Sequence, residues 1–78
     1  MLVIAGSIVF DPAKREAAIL AAKEMMAATR RESGCRAYTI SLDLEDGGKV
    51  HLFEHWESQA ALDAHFKSAH MAFEAVFS

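Results

Sequence analysis

Asp46-Gly47-Gly48, set between two β-rich runs, limits the folds open to this chain more than any other feature. Asp-Gly and Gly-Gly tolerate the positive φ of a tight hairpin turn. The runs on either side, Cys35 to Leu44 and Lys49 to Glu57, are then neighbouring antiparallel strands. A two-residue turn at Asp46-Gly47 pairs Leu44 with Lys49, Ile40 with Phe53, Tyr38 with His55 and Arg36 with Glu57. A turn at Gly47-Gly48 keeps the same faces. One face then carries Arg36, Tyr38, Ile40, Leu42 and Leu44 with His51, Phe53 and His55. The other carries Ala37, Thr39 and Ser41 with Val50, Leu52, Glu54 and Trp56. Both hold large apolar groups, so neither reads as freely solvated. One face is expected to carry helices. The other needs a cover that 78 residues do not supply, and a second protomer would supply it.

The flanking segments complete an α+β order. Leu2 to Phe10 is β-rich and reads as a strand buried on both faces, with Gly6 marking a bulge or a close approach to the backbone. Asp11-Pro12 starts a helix, Asp11 accepting from first-turn N–H groups and Pro12 suiting the first helical position. The helix is expected to run to about Glu32. Ala18, Ala22, Met25, Met26 and Thr29 share one side at the helical period, Ile19 lies at the margin, and Gly34 supplies the stop. Ser58 caps a second helix, Gln59 to about Lys67, with Leu62 and Phe66 four residues apart. Phe73 and Phe77 form the stripe of a last short helix. The order β-α-β-β-α is a single ferredoxin-like domain, residues 1–78, with its last strand missing or altered, an antiparallel sheet and helices on one face.

Composition points to self-association. A domain this small buries only roughly 60% of its unfolded surface, yet 53% of its residues are hydrophobic. A homodimer is the economical expectation. Cys35 is the one cysteine, so no intrachain disulfide forms and a reducing cytoplasm fits best. The N-terminus has no basic signal-peptide region, and no apolar run reaches membrane-span length, so no membrane partner is expected. Net charge is −3, and the eight basic residues are scattered. A nucleic-acid partner would want a basic stripe, and with none visible no such partner is expected.

Three stretches carry a family resemblance. They are Glu32-Ser33-Gly34-Cys35-Arg36-Ala37-Tyr38, then Phe53 through Leu62 with Glu54, Trp56, Ser58 and Ala61, then His65-Phe66-Lys67-Ser68-Ala69-His70 followed by Phe73. In order and spacing they resemble the E-x-G-C-x-x-Y, E-x-W-x-S-x-x-A-L and H-x-x-x-x-H-x-x-x-F pattern of the antibiotic biosynthesis monooxygenase family. The resemblance implies a ferredoxin-like protomer whose sheet closes with a partner's into a dimeric α/β barrel. It also implies oxidation of quinols or aromatic polyketides by molecular oxygen with no metal or organic cofactor. Some members degrade haem. Those carry an Asn on the first strand and a Trp and a His in the second helical region, where this chain has Ser7, His65 and Ala75. Haem degradation is therefore disfavoured, although His65 or His70 could still bind a haem iron. Members usually end in a further strand, before which this sequence stops.

Cofactor-free oxygenation needs a base, donors for a developing oxyanion, and a dry apolar pocket. His65 and His70 are the candidate catalytic groups. Five residues apart, they lie roughly 140° apart on a regular helix, and the spacing is not the i,i+4 pair of a zinc helix. Either could instead pack inside the protomer or bond a backbone carbonyl. Glu54 and Trp56 could be a base beside an indole wall, or a satisfied acceptor beside a core ring. Tyr38 and His55 could line a pocket or form a plain cross-strand pair. Ser7 could place a hydroxyl in the cleft, while Phe66 and Phe73 set His65 in a mainly apolar lining. Cys35 reads as a small buried group, Met25-Met26 as core, and His51 as solvated. No metal site is expected.

Overall fold

A computed structural model describes residues 1–68. The elements are β1 (Leu2–Val9), a 3-10 turn (Pro12–Lys14), α1 (Arg15–Thr29), β2 (Cys35–Leu42), β3 (Lys49–Trp56) and α2 (Gln59–Ser68). The sheet has the order β1-β3-β2 and is antiparallel throughout. This is the expected α+β ferredoxin-like order, with the middle place taken by β3. The short helix expected at Phe73 and Phe77 lies outside the described residues. Among the described residues no helix is long and apolar enough to cross a membrane.

The start of the helical segment follows its sequence signals. Asp11 Oδ1 accepts from the Ala13 N–H at 3.0 Å, and Pro12 opens a single 3-10 turn before α1 begins. The helix stops at Thr29, three residues short of the expected end. Beyond it the Arg31 and Glu32 amides bond back to Ala28 and Thr29 carbonyls, which tightens the chain towards Gly34. Ala18, Ala22, Met25 and Thr29 are buried, with Ile19 and Met26 half-buried, as the helical period requires. The small alanines let α1 lie close on the sheet. Its far end also covers the free edge of β2. Arg30 Nε donates to the Tyr38 carbonyl at 2.9 Å, and Met26 Sδ accepts from the Ile40 N–H at 3.3 Å. Edge groups that could template a foreign strand are thereby occupied.

Gly34 holds the turn between α1 and β2. Its φ is +84°, and a Cβ there would lie 2.6 Å from the Cβ of Ala61 on α2. Its carbonyl accepts from the Glu57 N–H at 2.8 Å. Gly34→Ala therefore meets a left-handed backbone cost of about 1–2 kcal/mol and an overpacking cost of about 1–3 kcal/mol. At about 4–8 °C per kcal/mol for a domain this size, its melting temperature should fall by at least about 8 °C. A melting curve within about 2 °C of the parent would contradict this packing.

The hairpin differs from its expected form. The strands end at Leu42 and resume at Lys49, and the connection is a loop built on Asp43 rather than a two-residue Asp-Gly turn. Asp43 Oδ2 accepts from the Glu45 and Asp46 amides at 3.0 and 2.8 Å, and Asp46 Oδ1 accepts from Gly48 at 2.8 Å. Asp43 Oδ1 lies 2.7 Å from His51 Nε2. The His51 bond first, then the two amides, hold the Asp43 carboxyl down at about 2. Arg15 Nη1 reaches the Gly47 carbonyl at 3.0 Å, and the Phe10 N–H donates to the Gly48 carbonyl at 2.7 Å. A Cβ on Gly48 would meet the Phe10 carbonyl at 2.5 Å.

That loop moves the register by one residue and exchanges the faces of β2 relative to β3. Tyr38 pairs with Glu54, Ile40 with Leu52 and Leu42 with Val50. Tyr38 and His55 are not a cross-strand pair, and Thr39 does not share a face with Glu54 and Trp56. A bulge at Cys35/Ala37 sets Arg36 outside the ladder, although its side chain still meets Glu57 at 3.6 Å on the surface. The helix-covered face thus gathers Tyr38, Ile40, Val50, Leu52, Glu54 and Trp56. Leu2, Ile4 and Ile8 of β1 pack against the same core. Among the described residues the other face is bare, with Val3 60%, Val9 72% and Phe53 43% exposed. β1 is therefore not buried on both faces. Nor is Gly6 a bulge. Its pairing with Leu52 is regular, and among the described residues a Cβ on it would meet nothing within 4 Å.

Candidate active site

Tyr38, Glu54, Trp56 and His65 come together under the helices. Trp56 is fully buried, Tyr38 is 2% exposed, and Glu54 and His65 are each 3% exposed. β2 and β3 deliver the first three because the observed register puts them on one face. α2 delivers His65. Ser58 Oγ caps that helix by accepting from the Ala61 N–H at 3.2 Å, and Leu62 and His65, three residues apart, both turn inward.

The fifth member is Glu32, in the turn after α1. Its Oε2 lies 2.8 Å from His65 Nδ1. On the other side of the ring, His65 Nε2 lies 3.9 Å from Glu54 Oε1. Glu54 Oε1 also accepts from the Trp56 indole N–H at 2.8 Å, a bond buried from water. The ring centroid of His65 is 4.9 Å from that of Trp56, 5.4 Å from Tyr38 and 5.7 Å from Phe66. One imidazole therefore stands between two carboxylates, inside an aromatic lining.

Electrostatics separate the roles. Burial pushes the Tyr38 phenol well above its ordinary range, and the charges of Glu54 and Glu32 add to the shift. Tyr38 is accordingly an O–H donor at neutral pH. Burial also raises the Cys35 thiol, with Glu32 and Glu54 contributing in the same direction. A thiol held protonated is a poor nucleophile, which agrees with reading Cys35 as a packing group. The Trp56 indole N–H is committed to Glu54. Among the described residues no three His, Cys, Asp or Glu side chains converge as metal ligands.

The remaining candidates are placed as follows. Phe66 is 45% exposed and borders the His65 ring. Ser7 does not join the site. It is exposed opposite His51 on the bare face, on the far side of the sheet from His65. His55 also belongs to the bare face, and its Nε2 is buried with no hydrogen-bond partner among the described residues. His51 is half-exposed and held by Asp43. His70 and Phe73 lie outside the described residues. Glu32 carried no signal in the residue pattern beyond its place in the first family-like stretch. It is 33 residues from His65, so only the tertiary fold brings the two together.

An antiparallel ferredoxin-like sheet with a histidine–carboxylate cluster under its helices defines a class of small α+β proteins, and comparison with known proteins narrows it. The sequence model of the antibiotic biosynthesis monooxygenase family matches residues 1–73, and the chain belongs to that family. It is 34% identical over 67 residues to the uncharacterized protein sll1783 of Synechocystis, covering 86% of this chain and 46% of that protein. It is 46% identical over 46 residues to Rv0793 of Mycobacterium tuberculosis, covering 59% of this chain and 45% of that protein. The chain thus spans about half the length of these curated relatives. The solved structure of Rv0793 superposes with a TM-score of 0.78 at 37% identity, covering 96% of this chain and 76% of that one. A crystal structure of an antibiotic biosynthesis monooxygenase gives a TM-score of 0.84 at 28% identity, with 97% and 78% covered.

Proposed function

We propose that the chain is the protomer of a homodimeric, cofactor-independent monooxygenase. Its substrate would be a quinol or polycyclic phenol, oxidised by molecular oxygen. The observation that carries this reading is the His65 imidazole, 3% exposed, held at 2.8 Å by Glu32 and packed between the Tyr38 and Trp56 rings. Family membership supports the same chemistry.

In this reading His65 takes the phenol proton, because the anion gives up electrons to dioxygen far more readily than the neutral phenol. The anion passes one electron to dioxygen, and the resulting superoxide joins a ring carbon that carries hydrogen. The peroxide takes the proton back from His65, and its O–O bond breaks as the ring hydrogen leaves as a proton. One oxygen stays as a carbonyl, and the other departs as water. Tyr38, kept protonated by its burial, is the donor suited to the developing oxyanion. Trp56 and Phe66 supply flat apolar surface. Among the described residues nothing lies within 4 Å of a Cβ built on Gly6, which shares the sheet face of Glu54. Ser7, on the opposite face of the sheet from Glu54, takes no part in this reading, and His70 and Phe73 lie outside the described residues.

Dimerisation accounts for the bare sheet face, whose Val3, Val9 and Phe53 form an apolar surface that a second copy would cover. A reducing cytoplasm suits the single thiol of Cys35. An oxygen electrode with metal-stripped protein and a panel of quinols and polycyclic phenols tests the reading. Saturable oxygen uptake with at least one of them is expected. Binding without uptake across the panel would leave a module that sequesters an aromatic metabolite, and would overturn the enzymatic reading.

A further inference from the structure

We propose that Glu32 is a positioning residue that fixes the His65 ring as its Nδ1–H tautomer, making Nε2 the atom that takes the substrate proton. This rests on the monooxygenase reading for its consequence in turnover, but not for the tautomer itself.

The geometry is specific. An ionised carboxylate can only accept, so the 2.8 Å contact between Glu32 Oε2 and His65 Nδ1 places the imidazole proton on Nδ1. The hydrogen bond made by one ring nitrogen sets the state of the other. Nε2 is then the nitrogen with a lone pair, and it is the one turned towards Glu54 and the interior. The two carboxylates are not equivalent. The Glu32 side chain is 23% exposed, whereas those of His65 and Glu54 are 3% and 4% exposed. Glu32 therefore approaches the ring from the solvent side and Glu54 from the dry side. Glu54 already accepts from the Trp56 indole, which anchors it to β3 independently of the imidazole. Among the described residues, the titratable and charged groups around the cluster include Arg30 and Glu32 after α1, Cys35 and Tyr38 on β2, and Glu54 on β3. Glu32 is the one of these that bonds Nδ1 in the geometry described.

The arrangement matches the logic of an orienting carboxylate behind a catalytic histidine. Replacing such a carboxylate by its amide leaves the shape intact but favours the wrong tautomer, because the amide can donate to Nδ1. Loss of the partner behind a metal-bound histidine costs on the order of 10- to 100-fold in activity, and the same range is expected for this metal-free imidazole. Partial exposure of Glu32 argues for that range rather than for the larger penalty of a fully buried carboxylate.

The test is nitrogen-15 NMR of the histidine side chains in the full chain and in its Glu32→Gln and Glu32→Ala variants, with steady-state kinetics on the same samples. In the parent, neutral His65 should show a pyrrole-type Nδ1 and a pyridine-type Nε2. At least one variant should lose that pattern in favour of Nε2–H. Turnover should fall about 10- to 100-fold in kcat with KM little changed. Glu32→Gln guards against a merely structural loss, since it keeps the side-chain volume. A pyridine-type Nδ1 in the parent, or an unchanged tautomer in both folded variants, would overturn the assignment. Unchanged kcat in a variant whose tautomer has switched would also overturn it. Should the parent turn over no quinol or phenol, the monooxygenase reading fails while the NMR pattern still decides the role of Glu32.

Discussion

His65→Ala is expected to lower kcat and kcat/KM together by roughly 100- to 10,000-fold, the usual contribution of a positioned general base. The expectation follows from where the ring stands. It is bonded to Glu32 at 2.8 Å, faces Glu54 at 3.9 Å and stacks at an angle on Trp56 and Tyr38. No other imidazole among the described residues is so deeply buried. The substitution also removes a buried polar link between α2 and the turn after α1, so some loss of stability accompanies it. Melting temperature and quinol-dependent oxygen uptake measured on one preparation separate the two effects. A destabilised variant whose folded fraction keeps the parental kcat would show that His65 only holds the helix in place.

Trp56→Ala should have the largest effect on folding. Trp56 is fully buried at the centre of the core, where Tyr38, Leu62 and His65 also lie. Truncating a buried Phe or Trp costs about 3–5 kcal/mol, against a total stability of about 5–15 kcal/mol for an ordinary domain. The same change strips Glu54 of its indole donor at 2.8 Å, leaving a carboxylate that is 3% exposed without that bond. Loss of a hydrogen bond to a buried polar group adds its own cost. Urea titration should show a midpoint far below the parent's, or no cooperative transition at all. Trp56→Phe keeps most of the ring and loses only the N–H, so its midpoint should lie between the two. A Trp56→Ala protein that unfolds at the parental midpoint would be incompatible with this core.

Several features of the fold were legible in the sequence because they rest on local chemistry. Asp11-Pro12, the four- and three-residue steps of Ala18, Ala22 and Met25, and Gly34 each act within a turn or two of chain. Family-like spacing around Glu54, Trp56 and Ser58 located the third strand and the following helix. The hairpin register was not legible. Asp46-Gly47 has the composition of a tight turn, but the carboxylate of Asp43 gathers the Glu45 and Asp46 amides and His51, and shifts the pairing by one residue. With a side-chain period of two, a single residue exchanges faces. That shift is what brings Tyr38 beside Glu54 and sends His55 to the bare side. Ser7 lies on the bare face because the side of β1 that meets the helices is set by its pairing with β3, which a strand read as buried on both faces does not reveal. Glu32 escaped notice because its partner is distant in sequence.

Mass spectrometry of the product formed under isotopically labelled dioxygen tests the oxygenation chemistry most directly. Metal-stripped protein should place a single labelled oxygen atom in each molecule of a quinol or polycyclic phenol product, and the His65→Ala protein should give little product of any kind. Product oxygen drawn from water, or equal labelling by the His65→Ala protein, would contradict a monooxygenase built on His65.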